Sequence, residues 1–367
     1  MQILDTGVIY RNPKAHVHSV HAYFPSVIKL SNGELLASFN LGEAFESSDL
    51  HTYLSRSSDN GKTWTFQGEL LERKAGGIYS DACRLTALPD GGVVAFVIRH
   101  NRTDHPEDGL ANPVNVGFVP TQLLLMRSND FGKTFSAPIP LNPSVVGPEF
   151  EMCSPITILS DGTWALPTST WKDWEGNLAD GARMVALVSD DQGQTWPRHM
   201  EVMNGVSDNI IYWESKIVKL PDGTLLAVAW GYDEPNAADL PNQFSLSRDR
   251  GQTWSKPKSM GILGQTLTPL LLPDGDVLCV YRRIDEPGLW ASRCRINGYN
   301  FEVIDSLPLW GWSSSNLTGN SANMAVNFSV LRFGAPTCLA LDSKTMMVAF
   351  WCYEDCVSNI RWIKLEH

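Results

Sequence analysis

Positively charged residues are scarce in this chain. Its 367 residues include 29 Lys and Arg against 40 Asp and Glu, which gives a net charge of −11 at neutral pH. Because nucleic acids and acidic membrane surfaces attract proteins through basic patches, neither is an expected partner. Charged residues make up 19% of the chain and hydrophobic residues 43%. The chain can therefore bury a substantial core, and an acidic ligand would need a local cluster of arginines.

Paired cysteines and long apolar runs are also absent. The seven cysteines are an odd number and form no C-x-x-C pair, so neither a disulfide framework nor a zinc site is expected. No apolar run approaches the roughly 20 residues needed to span a bilayer. The first residues lack the basic-then-apolar pattern of a signal peptide. These absences favour a soluble, cytoplasmic protein without a metal or other cofactor.

The chain does contain an internal repeat. The pattern S-x-D-x-G-x-T-[WF] occurs four times, and a degenerate fifth copy lies at 292–301. The four copies begin at Ser57, Ser128, Ser189 and Ser247. An Asp side chain that accepts backbone N–H groups, followed by a Gly with positive φ, is typical of a hairpin turn. We therefore expect these residues to form turns and to have no catalytic role.

A second repeat alternates with the first. Six segments read strand, turn, strand, around an Asn-Gly, Asp-Gly or degenerate Asp-Ser dipeptide. These dipeptides stand at 32–33, 90–91, 161–162, 222–223, 274–275 and 342–343. Such turns between apolar runs are the strongest short signal of a β-hairpin. Two hairpins in each of six units predict an all-β fold, a six-bladed β-propeller of four-stranded antiparallel blades over residues 1–367 as a single domain. An array of β-sandwiches would not explain the two alternating turn types.

The repeats also predict where a functional site lies. If the first strand of each unit is innermost, both kinds of turn join strands on one face of the propeller. The opposite face then carries the starts of the first strands, the ends of the second strands and the loops that follow them. Loops on a rigid scaffold commonly carry function, so candidate residues are sought on this face, at the mouth of the axis.

The repeats on a six-unit pattern resemble the Asp-box repeats of the sialidase superfamily, over nearly the whole chain. The resemblance implies an arginine triad that binds a sugar carboxylate, a tyrosine nucleophile activated by a glutamate, and an aspartate acid/base. Glu214 lies in a W-E-S segment that is similar to the family's Asn-Glu-Ser motif at the start of the fourth inner strand. Tyr23, in Y-F-P-S, stands where the family has its first arginine.

Other implied roles lack their usual residue. Neither late inner strand, at 265–268 or 334–337, supplies a tyrosine, and the cation available near the fifth unit is shifted to its second strand. The acid/base is expected in the first loop, at 42–51. Three acids qualify there, Glu43, Glu46 and Asp49. The motifs therefore predict a relative of the sialidases that acts on another sugar, rather than a classical sialidase.

The favoured function is hydrolysis of a glycoside at the axial mouth of the propeller by carboxylate acid/base chemistry. The substrate is a carbohydrate with a terminal sugar, and an acidic sugar is among the candidates. Aromatic rings stack on sugars, while Arg and carboxylate groups bond their hydroxyls. The candidate catalytic residues are Glu214, Asp49, Tyr23 and His21. The candidate substrate-binding residues are Arg84, Arg99, Arg282, Arg283, Tyr212, Trp171 and Glu151. Each has a structural alternative, such as ion pairing between blades for the arginines and core packing for Trp171.

Two other functions stay open. A propeller polysaccharide lyase removes the proton beside a uronate carboxylate with a His or Tyr base, a role that His21 and Tyr23 could fill near an arginine. A non-catalytic carbohydrate-binding propeller needs no paired acids, since a fold does not imply an activity. A glycosidase predicts two carboxylates within about 5–10 Å of each other. The segment HVHSVHAYFPS at 16–26 holds three histidines, but one extended strand cannot easily aim all three at one metal ion.

Overall fold

The computed structural model describes residues 1–145, 147–152, 154–313 and 330–367. The fold is all-β, with six antiparallel sheets in a propeller arrangement, which confirms the prediction from the repeats. Each sheet has four strands, and the inner strand of the third is split into two pieces. Across these residues, no helix combines the length and apolar character needed to cross a membrane.

The strands form the blades in chain order, apart from the first strand. Blades one to three contain β2 (His21–Lys29), β3 (Leu35–Gly42), β4 (His51–Ser57), β5 (Thr65–Glu69), β6 (Tyr79–Ala87), β7 (Val93–Asn101), β8 (Thr121–Ser128), β9 (Ile139–Pro140), β10 (Glu149–Phe150), β11 (Thr157–Ile158), β12 (Trp164–Trp171), β13 (Arg183–Ser189) and β14 (Arg198–Asn204). Blades four to six contain β15 (Ile210–Lys219), β16 (Leu225–Asp233), β17 (Ala238–Ser247), β18 (Lys258–Ser259), β19 (Gly264–Leu271), β20 (Val277–Arg283), β21 (Leu289–Asn297), β22 (Asn300–Trp310), β23 (Phe333–Ala340), β24 (Thr345–Glu354), β25 (Val357–Glu366) and β1 (Gln2–Tyr10).

The described residues group into two compact units. The first unit comprises residues 2–113, 119–141 and 331–367 and holds blades one, two and six. The second unit comprises residue 1, residues 114–118 and the described part of 142–330, and holds blades three, four and five. In both units the first strand of a blade lies against the first strands of its neighbours, as in the contacts of β2 with β6 and of β15 with β19. The prediction that these strands are innermost agrees with this arrangement.

The outermost strand of blade six comes from the opposite end of the chain. β1 pairs with β25 in antiparallel register, with Gln2 opposite Glu366 and Tyr10 opposite Ile360. Gly7 lies under the Trp362 ring, where an added Cβ would stand 2.4 Å from a ring atom. A local sequence pattern does not indicate this pairing, because the partners are more than 350 residues apart in sequence. Sequence reasoning assigned no element to residues 2–10.

The S-x-D-x-G-x-T-[WF] segments form the predicted turns. In the first copy the Ser57 hydroxyl donates to Asp59 at 2.8 Å, and Gly61 N–H donates to Ser57 Oγ at 2.8 Å. Thr63 Oγ1 donates to Asp59 Oδ2 at 2.6 Å. These donors hold the pKa of the Asp59 carboxyl well below its usual range. The degenerate copy at 292–301 replaces this network by a tight hairpin between β21 and β22.

The Asn-Gly and Asp-Gly dipeptides form the other set of hairpins. In the first of them Gly33 N–H donates to Leu30 O at 2.9 Å, and Gly33 has φ +88°, a conformation that favours glycine. Apolar side chains from adjacent blades then fill the space between the sheets. In the first unit one such cluster includes Leu36, Leu54 and Leu85. Local turn chemistry therefore sets the hairpins, and apolar packing holds the blades together.

Candidate active site

Four inner strands share a backbone irregularity near their start. At each one the strand register skips, and one residue adopts a left-handed φ between 47° and 55°. These residues are Phe24, Glu214, Thr266 and Ala335. Such a conformation costs about 1–3 kcal/mol for a residue with a side chain and is common at functional sites. Glu214 and Thr266 belong to neighbouring inner strands of the second unit, β15 and β19, and they bond each other.

The Glu214 carboxylate accepts two hydrogen bonds from a single residue. Thr266 Oγ1 donates to Glu214 Oε1 at 2.8 Å, and Thr266 N–H donates to Glu214 Oε2. Glu214 is half-buried, so its carboxylate is held by the neighbouring strand while part of the side chain stays accessible. The bulge after Trp213 turns the backbone so that this side chain leaves the strand toward β19.

A second glutamate lies at the same bulge. The Glu214 backbone N–H donates to both carboxylate oxygens of Glu151, each at 2.9 Å. Glu151 follows β10 at the break in the inner strand of blade three, where Thr168 Oγ1 donates to the Glu151 backbone carbonyl at 2.5 Å. The two carboxylates are therefore separated by no more than one hydrogen bond and the length of one glutamate side chain. That is compatible with the separation a glycosidase requires.

A buried arginine supplies positive charge beside these acids. Arg282, at the end of β20, is 6% exposed and donates to Gln265 Oε1, while Gln265 Nε2 donates to Asp239 Oδ2 at 3.4 Å. Burial lowers the pKa of Arg282, and the charges of Glu214 and Asp239 oppose that effect. Burial raises the pKa of Asp239, and the charge of Glu214 adds to it. One buried cation thus faces two carboxyl groups.

A tryptophan stack supports the Glu214 bulge from behind. The Trp213 ring lies 4.7 Å from the Trp171 ring and 4.6 Å from the Trp230 ring, centroid to centroid. Trp171 has no exposed surface, and its indole N–H donates to Val116 O at 2.7 Å. This burial favours a packing role for Trp171 over the sugar-stacking role predicted from the sequence. Trp213 directly precedes Glu214, so the stack packs against the backbone from which the Glu214 side chain leaves the strand.

The other sequence candidates of the second unit make different contacts. Tyr212 is 6% exposed and belongs to the apolar cluster between blades three and four. Arg283 donates to Asp285 at 2.8 Å through both Nε and Nη2 and pairs with Glu286 at 2.9 Å. Its charge is therefore already balanced within its own loop. The structure brings together Glu214, Glu151 and Arg282 from the predicted set.

In the first unit His21 and Tyr23 lie side by side at the start of β2. Burial raises the pKa of Tyr23 to about 12, and its ring packs edge-on against Trp351 at 5.1 Å and Phe45 at 5.4 Å. His21 Nδ1 accepts the Ser358 backbone N–H at 3.1 Å, and burial lowers the pKa of His21. An aromatic cluster occupies the position where the family resemblance implies an arginine.

The remaining candidates also belong to the first unit. Arg84 Nη1 donates to the backbone carbonyls of Cys83 at 3.0 Å and Phe24 at 3.4 Å, and Arg99 lies half-buried near the end of β7. Asp49 is exposed, and its Oδ1 accepts the Glu43 backbone N–H at 3.1 Å, which closes the first loop on itself. His16 and His18 are exposed ahead of β2. In the part of the chain that the structure describes, no group of three metal-ligating side chains is placed to hold an ion.

Glu46, one of the three acids of the first loop, contacts residues of the loop that follows β7. Its Oε2 accepts the Leu110 backbone N–H at 3.1 Å, and the buried Arg102 donates to its backbone carbonyl at 2.9 Å. Burial raises the pKa of Glu46 to about 7, although the Leu110 N–H and the Arg102 charge oppose the rise. A native-state pKa above the ordinary value means that the fold is penalised when this carboxyl ionises.

Replacing Glu46 by glutamine is therefore expected to stabilise the protein at pH 8 but not at pH 5. At pH values between 4.5, the ordinary pKa of a glutamate, and about 7, the Glu46 carboxyl keeps its proton in the native state but loses it in the unfolded state. The wild-type protein thus loses stability as the pH rises from 4.5 to about 7, by on the order of 3 kcal/mol in all. Glutamine keeps an acceptor for Leu110 and cannot ionise. Thermal unfolding of both proteins at the two pH values measures the difference, and an equal gap at both would contradict the prediction.

Three residues of the Glu214 cluster were not among the sequence candidates. Thr266 and Gln265 open the fifth inner strand, where the resemblance implies a tyrosine. Asp239 lies at the start of β17, just after the loop that follows β16. The start of a third strand is on the same face as the loop before it, so topology alone could have included Asp239. The bond from Thr266 to Glu214 depends on left-handed backbone at both residues, and no residue type indicates that.

Comparison with known proteins supports this fold. No protein-family model matches the chain. A sialidase from Bacteroides fragilis is 26% identical over 259 residues, which cover 64% of this chain and 43% of that protein. The chain spans less than half the length of the curated sialidases that it matches.

Solved structures give the same result for the fold. A Dyadobacter fermentans protein of unknown function is 21% identical with a TM-score of 0.76, covering 100% of this chain and 98% of its own. An α-L-arabinanase from Penicillium chrysogenum, solved with arabinobiose, is 15% identical with a TM-score of 0.65, covering 100% of this chain and 99% of its own. Together with the six blades and the repeats, these similarities support a sialidase-like propeller fold for the chain.

Proposed function

We propose that this protein is a glycoside hydrolase that removes a terminal sugar from a carbohydrate, with Glu151 and Glu214 as the paired carboxylates. The observation that carries the proposal is the contact of both Glu151 oxygens with the Glu214 backbone N–H, at 2.9 Å. Glycoside hydrolysis needs one carboxyl group that gives a proton to the leaving oxygen and a second that acts as nucleophile or base. The glycoside hydrolase-like fold and the sialidase and arabinanase neighbours support the same class.

The surroundings of the pair suit a sugar substrate. Arg282 provides a buried positive charge near Glu214, and a guanidinium group can also bond the hydroxyl groups of a sugar. The position of Tyr23, where the resemblance implies a carboxylate-binding arginine, is filled by an aromatic cluster. This difference supports a substrate other than the one that a classical sialidase cleaves, and the arabinanase neighbour makes neutral pentosides worth testing beside sialosides.

The lyase alternative receives less support. A lyase base must accept a proton from carbon, but His21 Nδ1 already accepts a backbone N–H at 3.1 Å. Burial raises the pKa of Tyr23 to about 12, which disfavours the phenolate that would act as the base. Both groups thus contribute to packing and hydrogen bonding at the start of β2.

The proposal predicts free reducing sugar from at least one member of a panel of terminal glycosides. The panel includes arabinosides, other neutral glycosides, sialosides and uronides, each as an aryl glycoside and as a disaccharide. Products are followed by chromatography, and the anomer first released is identified by NMR. Binding of sugars without turnover would overturn the proposal in favour of a binding propeller. An unsaturated, ultraviolet-absorbing product from the uronides would overturn it in favour of a lyase.

A further inference from the structure

We propose that Thr266 is a positioning residue that holds Glu214 as the nucleophile or base of the site, an inference that rests on the proposed function. The Thr266 backbone N–H donates to one oxygen of the Glu214 carboxylate, and the Thr266 hydroxyl donates to the other oxygen at 2.8 Å. Both oxygens of this carboxyl group therefore act as hydrogen-bond acceptors, which fixes its orientation. The assignment concerns which step Glu214 performs, which the proposed function leaves undecided.

Strained backbone at Thr266 and Glu214 orients the two donors toward the Glu214 carboxylate. Thr266 is β-branched and has φ +55°, which is a genuine outlier for such a side chain. Glu214 has φ +50° on the facing strand. Strain of this kind persists only where the surroundings impose it. Here the paired bulges turn the Thr266 N–H and hydroxyl toward one carboxylate, which extended strands would not do.

The positioning has a direct mechanistic consequence. The electron pair of the Glu214 carboxylate goes either to the anomeric carbon or to a proton of the attacking water, as the bond to the leaving oxygen breaks. The leaving oxygen then takes its proton from a different carboxyl group. Thr266 thus separates the roles of the two acids, because it orients one of them as the electron donor before substrate binds.

Replacing Thr266 by valine tests the inference, because valine keeps the branched shape and the backbone N–H but removes the hydroxyl donor. We expect kcat to fall about 10- to 100-fold, the effect of losing one hydrogen bond to a charged group, with little change in KM. Thr266→Ser restores the donor and is expected to keep most of kcat.

Thr253→Val is the matched control. Thr253 Oγ1 also donates to a carboxylate, Asp249 Oδ2, at 2.5 Å, but in a turn of the S-x-D-x-G-x-T-W type. Its loss is expected to leave kcat unchanged. Wild-type kcat in Thr266→Val, or an equal loss in Thr266→Ser, would overturn the positioning role.

A measurement that needs no turnover separates this inference from the proposed function. In protein labelled with 15N-threonine, the Thr266 amide resonance is expected to move in Glu214→Gln, because the carboxylate that accepts its N–H is replaced by an amide. If the amide responds while no glycoside is cleaved, the positioning contact stands and the proposed function falls. If glycosides are cleaved but the Thr266 amide resonance is unchanged in Glu214→Gln, the positioning role is wrong and the proposed function still stands.

Discussion

Glu214→Gln is expected to lower kcat/KM for the best glycoside by about 10²- to 10⁴-fold, the usual contribution of a catalytic acid or base. Glutamine matches the shape of glutamate and can still accept the Thr266 hydroxyl, so the fold should persist. It cannot supply an electron pair as a carboxylate does. Steady-state kinetics on the panel, with the thermal unfolding midpoint measured on the same samples, give the result. Unaltered turnover in Glu214→Gln would remove Glu214 from the mechanism.

Two further variants sharpen that result. Glu151→Gln keeps an acceptor for the Glu214 backbone N–H, so it removes a titrating carboxyl group without removing the contact. If Glu151 gives the proton, the loss should be larger for glycosides with poor leaving groups than for activated aryl glycosides. Asp222→Asn is the control, since Asp222 is an exposed turn residue of the same blade whose Oδ1 accepts the Thr224 N–H. It should behave as the wild type in turnover.

Trp171→Ala is expected to destabilise the protein by about 3–5 kcal/mol, the range for truncating a large buried aromatic side chain. The ring is fully buried, stacks on Trp213 at 4.7 Å, and loses its bond to Val116 in the variant. Because the stack supports the Glu214 bulge, a fall in kcat should accompany the lower stability. Urea or thermal unfolding measures the first effect and kinetics the second.

The control for this prediction is Trp312→Ala. Trp312 is 53% exposed, so its truncation should change the free energy of unfolding little. Unchanged stability in Trp171→Ala with a raised KM would instead support the sugar-stacking role that the sequence suggested. The comparison of these two variants therefore decides whether Trp171 serves packing or substrate binding.

Much of the architecture could be predicted because it depends on short-range chemistry. The Asp59 turn and the Gly33 turn are each closed by hydrogen bonds within a few residues, and a repeated local signal appears directly in the sequence. β1 could not be predicted from local signals, because its partner β25 lies at the other end of the chain. The split inner strand of blade three shows no clear turn signal either.

The candidate site was only partly predictable. Glu214 was found through its motif, and Glu151 and Arg282 through their places at strand ends. Sequence pattern places many other residues on the same face. It does not distinguish Arg282, which is buried beside two acids, from Arg283, whose charge Asp285 and Glu286 balance. Two adjacent arginines have the same local pattern, and only the direction in which each side chain leaves the strand distinguishes them.

The sequence by itself determined the fold class, because periodic hairpin turns specify a six-bladed propeller. The resemblance to sialidases rests on the same repeats. Tertiary structure alone decided which acids meet. Glu151, Glu214 and Thr266 lie on three separate strands, and their contacts require left-handed backbone at Glu214 and Thr266. Packing between strands imposes such conformations, whereas local preference disfavours them. No pattern of residue types therefore predicts them.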